Sequence, residues 1–393
     1  MRTYRELFEA PEYTPLFAVS SAHVAATTVS ALALGTLVYD RTGSPLLAAL
    51  GMFGGSLAQV IGATTLMSAA DRLPPRAAMT VIGLIFASGT AALAIPALPL
   101  WAVFVIVLAE GAVAAVGGGV RYGLLNEILP RDGFLLGRSV LNMSNGTLQI
   151  VGFSLGAVLV GALSARGTLV VAAGLYLLAA LVARFGLVRR PPRAAGRPSP
   201  AETWRNNTLL WSVKPRRYVY LALWVPNGLI VGCESLFIPL APDHAGLLFA
   251  FAALGMLAGD VLGGRFVPGP WRRRLGPPML LLLATPYLLF AAHPPLPLAA
   301  AVVALASIGY SASLLFQERL MAMTPDELSG QALGLHSSGM VAMQGIGASI
   351  AGGIAQVTSP TTAITVLAGA SITVTLTLAA GLRAHPWPVV REA

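Results

Sequence analysis

"WAVFVIVLAEGAVAAVGGGVRYGLL", residues 101–125, holds nine uncharged residues, then Glu110, then ten more before Arg121. About 20 mostly apolar residues suffice for a helix to cross the hydrocarbon core of a bilayer, and this segment is long enough. An ionised carboxylate near its centre costs on the order of 3 kcal/mol by insertion scales. A bound proton or a polar partner must offset that cost, so Glu110 is expected to face a wet interior rather than lipid. Arg121 is not that partner, because eleven residues separate the two by about 16 Å along a helix.

The rest of the chain has the same character. Of its 393 residues 56% are hydrophobic and 10% charged, against roughly 25% charged in soluble domains. Twelve segments meet the length criterion, near residues 14–39, 45–69, 77–97, 100–126, 138–163, 168–188, 217–241, 245–266, 277–293, 296–321, 326–356 and 360–382. Ser44-Pro45 and Ser359-Pro360 place a capping residue before a proline at the first helical position. Thr324-Pro325-Asp326-Glu327 has the spacing of a capping box. The sequence therefore describes an all-α polytopic membrane protein.

The net charge of +9 follows orientation rather than nucleic-acid binding. With the N-terminus in the cytoplasm, all of the 25 basic residues except Arg41, Arg121 and Arg166 fall on inner segments, as the positive-inside rule requires. Both termini are then expected to be cytoplasmic, in a bacterial-type inner membrane, with no signal peptide. The single cysteine, Cys233, excludes an intrachain disulfide. No metal-ligand spacing, phosphate-binding loop or nucleophile–base pair is visible, so neither a cofactor nor enzymatic activity is expected.

The polar stretch 189–216 is rich in proline and arginine and divides the chain near its middle. It reads as a cytoplasmic linker containing a short helix opened by Ser199-Pro200-Ala201-Glu202, with Trp204 and Trp211 at headgroup level. The expected domains are an N-terminal six-helix bundle over 1–188 and a C-terminal six-helix bundle over 217–393. A faint repeat relates them: Gly137, Ser144 and Gly152 recur as Gly330, Ser337 and Gly345, and Gly156 falls on Ser349. Small residues four apart let membrane helices approach closely.

Polar residues are not spread evenly over the spans. His23 lies in the first, Gln59 in the second, Glu110 in the fourth, and Asn142, Asn145 and Gln149 share one face of the fifth. Asn227 and Glu234 lie in the seventh, Asp260 in the eighth, Tyr310 in the tenth, and His336 and Gln344 in the eleventh. Spans three, six, nine and twelve carry no acid, amide or histidine in their interiors. Because buried polarity faces a bundle interior or a water-filled path, eight helices are expected around a central path and four outside it.

This arrangement resembles the major facilitator superfamily over essentially the whole chain. The segment "LMSAADRLPPRAAM" (66–79) is similar to the superfamily's signature between helices two and three, with Asp71, Arg72 and Arg76 matching and Pro74-Pro75 replacing Gly-Arg. "GDVLGGRFVPGPWRRR" (259–274) is a looser echo. "RYGLLNEILPRD" from Arg121, "YRELF" and "LVYDRTGSPLLAAL" look like the bacterial drug-efflux-type branch, although "GFSLGAVLVG" in helix five lacks that branch's proline. The resemblance implies twelve helices in two pseudo-symmetric six-helix bundles, with helices three, six, nine and twelve peripheral.

On this reading Glu110, Glu234 and Asp260 are candidates for proton coupling, Asp260 with Arg265 as an alternative ion-pair partner. His23, Gln59, Asn142, Asn145, Gln149, Asn227, Tyr310, His336 and Gln344 are candidates for a substrate cavity. Asp71, Arg72, Arg76 and Arg121 form a candidate cytoplasmic gate, in which Asp71 would meet the N-terminus of helix eleven. The implied function is a monomeric secondary transporter exporting a small amphipathic or lipophilic molecule in exchange for protons. Uptake of a metabolite and a transport-inactive assembly or sensing role are the alternatives. Its partners are the bilayer, the substrate and protons, without nucleic acid.

Overall fold

The computed structural model describes residues 4–65, 73–192, 200–263, 267–325 and 328–384. All regular structure among them is helical. Two compact units emerge: Met1–Thr42 with Gly51–Pro198, and Gly43–Leu50 with Ser199–Ala393. The first contains α1 (Tyr4–Glu9), α2 (Tyr13–Thr42), most of α3 (Pro45–Thr65), α4 (Pro75–Leu93), α5 (Leu100–Ile128) and α6 (Arg131–Gly186). The second contains α7 (Pro200–Ser212), α8 (Lys214–Glu234), α9 (Phe237–Leu240), α10 (Ala245–Val261) and α11 (Gly269–Ala284). A 3₁₀ stretch (Thr285–Ala292), α12 (Leu296–Ser307), a 3₁₀ turn (Ile308–Ser311), α13 (Ala312–Ala322), α14 (Ser329–Val357) and α15 (Pro360–Ala384) follow.

Among the described residues nine helical stretches are long and apolar enough to cross a bilayer, with Pro45–Val60 and Ala245–Val261 as shorter apolar helices. The α6 segment has 56 residues, about 84 Å at 1.5 Å per residue, far more than the ~30 Å hydrocarbon core. It breaks at Ser164, whose φ of 70° and ψ of 166° are non-helical. Ser164 then serves the second arm, its Oγ accepting from the Gly167 N–H at 3.4 Å. The two arms correspond to the spans expected at 138–163 and 168–188.

Proline sets several helix starts. Pro75 opens α4, and Pro99, Pro130, Pro268 and Pro295 stand immediately before α5, α6, α11 and α12; its missing N–H costs nothing in the first turn. Ser44 Oγ accepts from the Leu47 N–H at 3.2 Å and Ser359 Oγ from the Thr362 N–H at 3.1 Å, as their spacing indicated. Thr324 does not cap α14. Its hydroxyl donates back to the Leu320 carbonyl at 2.7 Å, and α14 begins only at Ser329, after Leu328. Asp326 and Glu327, like Ser199, lie outside the described residues.

Small residues bring helices into backbone contact. In the first unit Gly152 of α6 faces the Thr28 side chain of α2, and Gly156 faces Val29. In the second unit a Cβ at Gly347 of α14 would strike the Gly228 carbonyl of α8, and one at Gly228 would strike Met343. Gly347→Val is therefore expected to destabilise the protein by about 1–3 kcal/mol through overpacking, read as a lowered unfolding midpoint in detergent. Gly353→Val, at a position with open space beside it, should shift stability by no more than about 0.5 kcal/mol.

A polar clasp closes one end of the first unit. Arg190, just beyond α6, donates to both carboxylate oxygens of Glu12 at 2.7 Å, and the Val188 N–H adds a third bond at 2.8 Å. Glu127 at the end of α5 lies 3.5 Å from Arg190 Nε. Glu12 itself has φ 68°, a left-handed turn that aims its side chain back across the start of α2. Burial pushes the Glu12 carboxyl up, but the Arg190 and Val188 bonds together with the Arg190 charge outweigh it and hold the group below its ordinary 4.5. The clasp's contribution is thus present above that value and fades as pH falls through the lower folded value. Acid unfolding of the wild type should show this loss, and Glu12→Gln should remove the corresponding part of the pH dependence.

Candidate functional site

The first unit encloses a cavity of about 250 Å³. Helix α2 supplies Ser20, His23 and Thr27, α3 supplies Gln59, α4 supplies Met79, Ile82 and Phe86, α5 supplies Arg121, and α6 supplies Gln149. His23 sits in an aromatic corner, edge-on to Phe86 at 4.9 Å and to Tyr176 at 5.1 Å between centroids. The Tyr176 hydroxyl donates to Thr27 Oγ1 at 2.9 Å. Arg121, expected among the gate residues, lines this cavity, its Nη1 donating to Ser20 Oγ at 2.9 Å. Ser20 Oγ donates in turn to Asn145 Oδ1 at 3.4 Å. One wall is apolar and the other carries amide, hydroxyl and guanidinium groups, which suits a ligand with both characters.

Glu110 is not part of this lining. It lies between α5 and α4, where Thr90 Oγ1 donates to its Oε1 at 3.3 Å. Its carboxylate occupies space left by Gly89, since a Cβ there would collide with it. Helix α4 therefore presents Met79, Ile82 and Phe86 to the cavity and, one turn beyond Phe86, Thr90 to the acid. Expected only as an outer screen, it has two working faces, for its outward residues Val81, Leu84 and Ile85 are exposed.

The second unit buries the other acid. Glu234 ends α8 and is only 6% exposed. Tyr310 donates to its Oε1 at 3.0 Å, and Tyr287 adjoins the same carboxylate. Both tyrosines come from 3₁₀ stretches, a tighter winding that interrupts α-helices at functional hinges. Two turns before Glu234, Asn227 is buried, and its Oδ1 has no partner among the described residues. Asn227 and Tyr310 border a pocket of about 10 Å³, room for about one water molecule.

A family model described as Major Facilitator Superfamily matches residues 16–313. The chain belongs to that superfamily. It is a multi-pass membrane transporter. No curated protein sequence matches it. Among solved structures, a POT family transporter in complex with 5-aminolevulinic acid superposes with TM-score 0.72 at 12% identity, covering 95% of this chain and 96% of that one. A bacterial homologue of the human lysosomal transporter Spinster, inward-facing and unoccupied, gives TM-score 0.67 at 14% identity over 98% and 96%. The nucleoside transporter NupG gives 0.66 at 13% over 94% and 99%. At these identities the likeness is one of fold.

The remaining sequence-derived positions of this superfamily member are dispersed. His336 is buried, with no partner for Nδ1 among the described residues, while its carbonyl accepts from Trp224 Nε1 at 3.0 Å. Gln344 lies half-buried on α14, and Arg76 half-buried in the first turn of α4. Asp260 is exposed near the end of α10. Asp71, Arg72, Arg265 and the Asn142 side chain lie outside the described residues. Trp204 is exposed, whereas Trp211 stacks on Trp224 with 5.7 Å between ring centroids.

Sequence reasoning passed over Thr90, Tyr176 and Tyr287, the groups that contact the acids and the aromatic corner. Tyr310→Phe, which removes the donor to Glu234, should lower stability by about 1–3 kcal/mol. Tyr310→Leu should cost more, because ring packing is lost as well. Unfolding in detergent would rank them.

Proposed function

We propose that this protein is a proton-coupled secondary transporter of the drug-efflux type, exporting a small amphipathic organic molecule by alternating access from a cytoplasmic (inner) membrane. The observation that carries this reading is the two-sided cavity of the first unit, together with a carboxylate sequestered in each unit. An amphipathic ligand would rest its apolar part on Met79, Ile82 and Phe86 and its polar part on Gln59, Gln149 and Arg121. Glu234, with Tyr310 to orient it, is the first choice for the proton carrier, and Glu110 beside Thr90 is the second. The partial signature at 66–79 and the segment from Arg121 support the efflux branch. The structural neighbours include a peptide transporter and a nucleoside transporter, so the fold is compatible with polar cargo too.

The energetics are adequate. One proton moving down 100 mV and one pH unit supplies about 2.3 and 1.4 kcal/mol respectively. That sustains a gradient of a neutral solute of a few hundred-fold.

Everted membrane vesicles test direction and coupling together. Acidifying their interior should drive accumulation of a transported compound, with proton release when that compound is added outside. Glu234→Gln should abolish both while leaving substrate exchange across the membrane intact. Accumulation driven instead by an alkaline interior would overturn export, and wild-type behaviour of Glu234→Gln combined with Glu110→Gln would overturn proton coupling.

A further inference from the structure

The cavity of the first unit has an electrostatic asymmetry. Neither an aspartate nor a glutamate lines it, and Arg121 is its one permanently charged side chain among the described residues. A guanidinium carries five donors and no acceptor. Nη1 is used on Ser20, but Nε is buried and finds no partner among the described residues. No carboxylate within ion-pair distance of Arg121 is described, whereas Arg190 in the same unit is paired with Glu12. Arg121 is half-buried, and a cation partly withdrawn from water without a described counter-charge has unused attraction for an anion.

The geometry around Arg121 fits recognition rather than leftover charge. Its guanidinium lies over the Tyr122 ring, 5.1 Å from the centroid, and the Ser20 bond fixes it from the α2 side. A planar, braced fork is the donor set that matches a carboxylate or phosphonate bidentately. Met79, Ile82 and Phe86 on α4 provide an apolar wall in the same cavity. The volume of about 250 Å³ falls just below the roughly 300–1,000 Å³ usual for ligand pockets, which selects a small molecule.

We infer that the first-unit cavity is an organic-anion site, in which Arg121, braced by Ser20, holds the carboxylate or phosphonate of a small molecule whose apolar body rests on Met79, Ile82 and Phe86. This rests on the transporter reading and adds to it the class of cargo. Arg121 is then the residue that selects for charge, and the α4 wall selects for shape.

The test uses purified full-length protein with benzoate and phenylphosphonate as anionic probes, benzamide as the neutral analogue and benzylamine as the cationic one. The anions should raise the unfolding temperature and bind measurably by calorimetry, with benzamide and benzylamine much weaker. Arg121→Gln should weaken the anions roughly ten- to a hundredfold, while Arg121→Lys retains part of the affinity as a point charge without the fork. Ser20→Ala should give a smaller loss in the same direction. Equal binding of all four probes, or undiminished anion binding by a folded Arg121→Gln, overturns the inference. Anion binding that depends on Arg121, in vesicles that move none of the probes, would support the site while contradicting transport of this cargo, so the two failures are distinguishable.

Discussion

A hydrogen-bonding side chain carried into a bilayer has no water to fall back on, and its partner must come from a neighbouring helix or from its own. Among the described residues many hydroxyls take the second course. Thr28, Thr36 and Thr42 of α2 donate to the carbonyls of Val24, Leu32 and Val38, and so neither pull their helix toward a neighbour nor demand water. The exceptions are therefore informative. Ser20 reaches Arg121 and Asn145, Tyr176 reaches Thr27, Thr90 reaches Glu110, and Tyr310 reaches Glu234. Each crosses between helices, and these mark the cavity and the acids Glu110 and Glu234, whereas other crossings, such as Tyr13 to the Gly137 carbonyl and Tyr220 to the Ala332 carbonyl, tie helices together elsewhere.

Crossings of that kind require the helices to lie close. Lipid tails are as apolar as leucine, so no hydrophobic force drives membrane helices together, and close approach depends on small residues. The Gly228–Gly347 contact between α8 and α14 lies on the same helix that ends in Glu234. In the first unit, Gly152 against Thr28 draws α6 onto α2, about one turn of α6 beyond Gln149 and two beyond Asn145. The glycines that shorten the distance and the polar residues that use it are thus neighbours on the same helices.

Much of this was legible in the sequence, because the bilayer reduces the problem to length and polarity. Proline and serine at positions 44–45 and 359–360 located helix starts, and the run of apolar segments gave the fold class. Trp211 was harder to place, since its stacking on Trp224 of the following helix is a tertiary contact that its own neighbours in the sequence do not announce. Thr90 and Tyr287, which adjoin the acids, were missed for a different reason. Counting only acids, amides and histidine as polar left helix α4 looking inert, although Gly89-Thr90 leaves space and supplies a donor side by side, the one local signal that pointed to Glu110. Tyr287 gave no such signal, because its orientation comes from 3₁₀ winding that apolar periodicity does not reveal, whereas Tyr310 already stood out as a polar position of the tenth span.

Helix α4 also shows why absence of polarity is weak evidence for lipid contact. Met79, Ile82, Phe86 and Thr90 lie at intervals of three or four residues and therefore share a face. Met79, Ile82 and Phe86 of that face line a cavity to which Gln59, Gln149 and Arg121 also contribute. An apolar surface is equally suited to lipid and to the hydrophobic part of a cargo, and only packing separates the two. Since Phe86 and Thr90 are one turn apart on a single rigid element, a displacement of α4 that reshapes the cavity also moves the donor held by Glu110.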